Sequence, residues 1–310
     1  MPASHHKFAV AMLTIATLFW GMGFVWAKNV GEAINAAAGV GVGGLLGPNL
    51  TLAGRFCVAS LLWTMIFPRS LRGWSRATVG RSMIIGAVLF AGLEMQHLGL
   101  DRVSEATTAF LTSLTVVLVP LLVAALRRRR PDATLLSAIA LSVVGIYLLT
   151  GATLRGLGPG EFLAIGCAVA FSVEILCVNA LVARDQAFRI TLGMFAVNAV
   201  GFTFVSAVSP GLMRLDVWAL PAPVVRDWLL LAVLGSSSFA FMNLYQPRVE
   251  PTRAAVVYML EPIFAAAFAW AVEGAVMTQT ALVGATLILL SNIVAEFRWP
   301  RRKALRRIAI

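Results

Sequence analysis

The sequence predicts an all-α polytopic membrane protein whose ten transmembrane helices form two inverted five-helix repeats. Three observations carry that prediction: the composition, a series of long apolar runs, and a weak self-similarity between the two halves. Of 310 residues, 59% are hydrophobic and 13% charged, with a mean hydropathy of +0.86, against about 45–50% and about 25% in soluble domains. Ten spans of about 20 residues leave roughly 110 residues for loops and tails, too few for a fused catalytic, nucleotide-binding or DNA-binding module.

The apolar runs fall at 8–27, 50–67, 82–100, 106–126, 133–154, 162–183, 190–209, 228–247, 254–272 and 275–295. They are continuous, unlike the alternating ten-residue segments of a barrel strand, so helices are expected. The first run, Phe8 to Ala27, is of spanning length and lacks a small-x-small site after it, so it reads as a span and not as a cleavable signal. Residues 31–48 read as a flexible Gly/Ala connector. Gly39, Gly41 and Gly44 spell G-x-G-x-x-G there, but no strand precedes them, so dinucleotide binding lacks its structural context.

Charge sets orientation. The net charge is +11, and its distribution is topological. With the N-terminus inside, nineteen of the 25 Lys and Arg lie on cytoplasmic segments, including Arg127 to Arg130 and a basic tail at 298–310. Five lie outside, and Arg55 alone falls within a span. The positive-inside rule therefore places both termini in the cytoplasm. Cys57, Cys167 and Cys177 all sit in apolar runs and read as packing residues. No metal site and no cofactor are expected.

Displacing the chain against itself by 146 residues aligns about 79–149 with 225–295, matching Arg102-Val103 with Arg248-Val249, Ala109 with Ala255 and Leu114 with Leu260. The repeats are bounded as 8–154 and 160–297. Five spans in each half make the second enter the membrane from the opposite side, the architecture many secondary transporters use around a midplane site.

Five ionisable residues lie inside the spans: Arg55, Glu94, His97, Glu174 and Glu261. Charge is costly there, so each is a site candidate by default. Glu94, His97 and Asp101 share one helical face and could relay protons outward; alternatively Glu94 pairs with Arg55. Glu261 precedes Pro262, which cannot donate to the Tyr258 carbonyl, and Pro120 frees the Val116 carbonyl in the matching span, so each half is expected to carry a helix break. Either break is open to a purely structural reading. Trp20, deep in the first span, either packs on a neighbouring helix or walls a cavity. Ser236, Asn243 and Gln246 share a face of the eighth span, while Asn198 and Asn292 read as interhelical ties.

Four stretches carry a family resemblance: Phe19-Trp20-Gly21-Met22-Gly23-Phe24, Gly54-Arg55-Phe56, Ser104 through Pro120, and Pro251 through Phe264 with its Leu-Glu-Pro ending. Over about 8–297 the chain resembles the ten-helix EamA family of the drug/metabolite transporter superfamily. The resemblance implies a carrier of the inner membrane, not an enzyme, that exports small organic solutes such as amino acids or drug-like molecules by alternating access in exchange for protons. It implies a cavity walled by helices one, three, four, six, eight and nine, and nominates Trp20, Glu94, Glu174, Asn243, Tyr258 and Glu261. The expected partners are the lipid bilayer, a small organic solute and protons, with a homo-oligomer left open and no nucleic acid. A nucleotide-sugar or sugar-phosphate exchanger is the alternative, although several basic groups would then be needed to meet the phosphate and only Arg55 is intramembrane; an intramembrane enzyme is more distant, since no nucleophile-base motif is visible.

Overall fold

The computed structural model describes residues 3–41, 44–100, 102, 105–128, 133–151, 157–182, 186–274 and 278–297. Asp101, Ser104, Arg129, Arg130 and the basic tail at 298–310 lie outside the described residues. Among those described there is no strand. The helices are α1 (Ala3–Ala37), α2 (Leu46–Ile66), α3 (Arg76–Leu100), α4 (Glu105–Thr112), α5 (Thr115–Arg127), α6 (Ala133–Thr150), α7 (Pro159–Leu181) and α8 (Ala187–Val208). They continue as α9 (Ala222–Leu230), α10 (Ser236–Tyr245), α11 (Pro251–Tyr258), α12 (Glu261–Glu273) and α13 (Gln279–Phe297). A π-helical turn, Leu231–Gly235, joins α9 to α10, so these segments form one continuous rod. By length and composition, nine helices among the described residues suffice to cross a membrane, and the described side chains of α13 add a shorter apolar stretch, Gln279–Val294.

One expectation is corrected at the first connector. α1 runs 35 residues to Ala37, about 50 Å at 1.5 Å per residue, well beyond a hydrocarbon core of about 30 Å. Its last turns are not loop but one wall of a small cluster of Val30, Ile34, Ala38, Leu46 and Leu220. Asn35 fastens this cap: its Nδ2 donates to the Gly44 carbonyl at 2.6 Å, and its Oδ1 accepts from the Gly47 N–H at 2.7 Å. The Gly/Ala connector is therefore shorter than expected, since α1 runs to Ala37 and α2 starts at Leu46.

Helix boundaries in the two halves recur at one displacement. α3 and α9 begin 146 residues apart, as do α4 and α11, α5 and α12, and α6 and α13; the ends of α4 and α5 match those of α11 and α12 in the same way. Even the left-handed C-caps correspond, Arg128 at φ 49° and Gly274 at φ 67°. Glycine tolerates that conformation without strain, whereas arginine does not, so Arg128 holds it against its own preference. Helix packing follows the same displacement: α2 lies along α8 and α6 along α13, while α12 against α1 is matched by α5 against α7. Ser142 and Ser291 share a buried hydrogen bond of 2.7 Å in the α6–α13 seam.

Candidate functional site

The site is built around a break in the ninth span. α11 stops at Tyr258 because Met259 N–H and Leu260 N–H turn back to the Val256 and Val257 carbonyls, both at 3.1 Å. α12 then starts at Glu261, placing a carboxylate in its first turn, where the helix dipole favours negative charge. Pro262 occupies that first turn, a position where its missing N–H leaves no helical bond unmade. In the fourth span the structure corrects the expected break. It lies at Ser113–Leu114, between α4 and α5, and Pro120 sits inside α5. At the position matching Glu261 stands Thr115, whose hydroxyl donates to the Thr112 carbonyl at 2.7 Å and reaches the Ala168 carbonyl in α7 at 3.4 Å.

α1 presses directly against the second break. A Cβ at Gly21 would stand 2.7 Å from the Ala265 nitrogen and 3.0 Å from the Glu261 carbonyl oxygen, so only glycine permits this approach. The neighbouring Trp20 ring packs on Phe239 at 5.3 Å and edge-on to Tyr258 at 5.2 Å between centroids. Its Nε1 is buried without an acceptor.

From Tyr258 a polar network runs toward α7. The Tyr258 hydroxyl donates to Gln246 Oε1 at 2.7 Å, and Gln246 Nε2 donates to the Ile175 carbonyl at 2.7 Å and to Asn179 Oδ1. Asn179 Nδ2 in turn donates to the Val249 carbonyl at 2.8 Å. Glu174 directly precedes Ile175 of this network on α7. It is 3% exposed, and its Oε1 is buried with no hydrogen-bond partner. Glu174 and Glu261 both act electrostatically on the buried Cys167 thiol.

Arg55 approaches from α2. Its guanidinium donates to the Gly235 carbonyl at the π-helical turn and stacks over Phe239 at 5.1 Å and Phe56 at 5.3 Å. It does not pair with Glu94. Glu261 and His97 are the ionisable groups within its electrostatic reach, and no contact ion pair joins it to either among the described residues. Glu94 and His97 lie half-buried on α3, Glu94 beside Asn49, with His97 Nδ1 buried and unpartnered.

Of the nominated residues, Trp20 and Arg55 thus meet at Phe239 and Trp20 meets Tyr258, with Glu174 next to Ile175 of the Tyr258–Gln246 network and Glu261 opening α12 three residues past Tyr258. Asn243 is not among them: its Nδ2 donates to α8, to Thr191 Oγ1 at 3.2 Å and Met194 Sδ at 3.4 Å, while its Oδ1 is buried without a partner among the described residues. Asn198 does tie helices, donating to the Gly86 carbonyl at 3.2 Å. The sequence reading missed Asn179 and Phe239. Asn179 stands five residues past Glu174 in the same apolar run, which was its only signal.

With this geometry in place, known proteins supply the frame. The EamA-like transporter family matches residues 158–295. That match lies entirely within the second half of the chain. An archaeal protein from Archaeoglobus fulgidus, described as an uncharacterized transporter, is 27% identical over 254 residues, covering 79% of this chain and 75% of the relative. A solved crystal structure of another protein superposes with a TM-score of 0.73 at 18% identity, covering 94% of this chain and 97% of that one; this likeness speaks for the fold. The Leu-Glu-Pro break, with Glu261 and Tyr258, lies within the EamA-like half. Trp20 and Arg55 reach it from outside the matched residues.

Proposed function

We propose that the chain is a secondary active exporter of small organic metabolites, amino acids or drug-like solutes among them, working by alternating access in the inner membrane with both termini cytoplasmic. Its two inverted repeats, 8–154 and 160–297, enclose the site around Trp20, Tyr258 and Glu261, and it exchanges solute for protons. The observation that carries this reading is Glu174: a carboxylate inside a membrane span with a buried oxygen that no hydrogen bond satisfies. Such a group is expensive unless it binds something, and a proton is the smallest partner that satisfies it. Glu94 is the second proton carrier, in the first repeat, and Glu261 the third acid at the break.

The recurrence of helix boundaries at 146 residues supports the repeat. Burial supports an outward-facing state. In α11, Pro251, Thr252 and Ala254 to Tyr258 are all buried, whereas Glu261 to Ala266 in α12 are half-buried. At the end assigned to the cytoplasm, Arg127 of the first half meets Glu250 of the second at 2.8 Å, and Tyr245 is covered by Phe8 and Arg248. Those contacts close that side and must part when the carrier turns inward.

The test is counterflow in proteoliposomes carrying an entrapped pH dye, screened across amino acids and organic cations. Solute exchange accompanied by opposite proton movement is expected; a purified, folded chain that moves no solute would remove the reading.

A further inference from the structure

A guanidinium carries five N–H donors, and Arg55, 7% exposed in the middle of α2, has one acceptor among the described residues, the Gly235 carbonyl. Its Nε is buried and unpartnered. Stacking on Phe56 and Phe239 stabilises the charge without filling those donors. The Trp20 indole N–H is likewise buried without an acceptor. Both side chains contact the same ring, Phe239, Arg55 at 5.1 Å and Trp20 at 5.3 Å. Two unfilled donors from α1 and α2 therefore flank one aromatic surface, and an unfilled buried donor costs free energy that a hydrogen-bonded anion would recover. The one carboxylate acting on Arg55, that of Glu261, stands off without contact among the described residues.

Resting on the exporter reading, we propose that Arg55 and the indole N–H of Trp20 form an anion-recognition subsite, so that the carried solute presents a carboxylate-type oxyanion beside the Phe239 ring. The flat apolar body that accompanies such a group lies against Phe239 and the Trp20 ring. Glu261 opposes the anion by its charge and sets how tightly the subsite holds it.

The probe is benzoate, with benzamide as its neutral isostere, titrated against the melting temperature of the full chain in detergent micelles. Benzoate is expected to bind about tenfold or more tightly than benzamide, as a charge-assisted hydrogen bond would give. Arg55→Gln should erase the preference. Because that variant also loses the tie to Gly235, two milder ones accompany it. Trp20→Phe keeps a ring and removes the N–H, so it should weaken benzoate by about tenfold or less and leave benzamide unchanged; Glu261→Gln should strengthen benzoate. Equal affinities for the two probes, or a benzoate preference indifferent to both milder variants, overturns the subsite. A chain that still exchanges solutes while showing no anion preference loses the subsite and keeps the carrier; benzoate binding without any solute flux does the reverse.

Discussion

Cys57 and Thr203 stand 146 residues apart in the chain and meet in space, Sγ to Oγ1 at 3.9 Å. That separation is the displacement at which the helix boundaries of the two halves recur. Equivalent positions touch one another only beside a symmetry axis, so the α2–α8 seam is where a two-fold relating the halves would pass. Thr203→Cys is therefore expected to form a disulfide with Cys57 under mild oxidation, read as protection of both thiols from a maleimide. Full labelling of both thiols after oxidation would contradict the seam.

Gly21 supplies a packing prediction. Its missing Cβ lets α1 sit against the Glu261 turn, and an added methyl would meet backbone at 2.7 Å. Gly21→Ala should lower stability by about 1–3 kcal/mol, seen as a lower melting temperature and slower transport. Gly80→Ala, where nothing lies within 4 Å, should be neutral or mildly stabilising, since alanine is the better helix former.

Tyr258 offers a test of the polar network. Tyr258→Phe keeps the contact with Trp20 but leaves Gln246 Oε1 without its donor in a buried site. A loss of about 1–3 kcal/mol is expected; Gln246→Leu, which also drops the bonds to Ile175 and Asn179, should cost more, and the double variant less than the sum of the two single losses. Additive losses in the double variant would separate them.

Pro262 carries an unexpected outcome. The residue that matches it in the first half is Val116, yet that half breaks at the matching point, Ser113–Leu114. The break therefore does not depend on proline. Pro262→Ala should retain the turn at Met259–Leu260 and transport within about threefold of wild type, a shift under 1 kcal/mol; a near-complete loss would give the ring a role of its own.

The spans are legible in the sequence, because apolar runs of spanning length are a direct consequence of bilayer physics. The overrun of α1 is not. Residues 29–37, with three alanines, one glycine and three polar residues, do not continue the apolar run and are held helical by the cap cluster and by Asn35. The break in the fourth span is hidden for a related reason: Pro120 lies six residues past it, inside α5, and the turn is made by i to i−3 bonding that no residue type announces. In the site, ionisable groups such as Glu174 and Arg55 stand out against apolar neighbours. Asn179 and Phe239 do not, since asparagine and phenylalanine are ordinary in membrane helices and acquire their place only from what they touch.

In the proposed cycle, intramembrane carboxylates couple solute movement to protons, with Glu174 first. The direct measurement is solute accumulation in proteoliposomes under an imposed pH gradient, wild type against Glu174→Gln, a substitution that keeps shape and removes titration. Gradient-driven accumulation is expected in the wild type and its loss in Glu174→Gln with an unchanged melting temperature, with a milder loss in Glu94→Gln. Wild-type accumulation and pH dependence in both variants, singly and together, would contradict it.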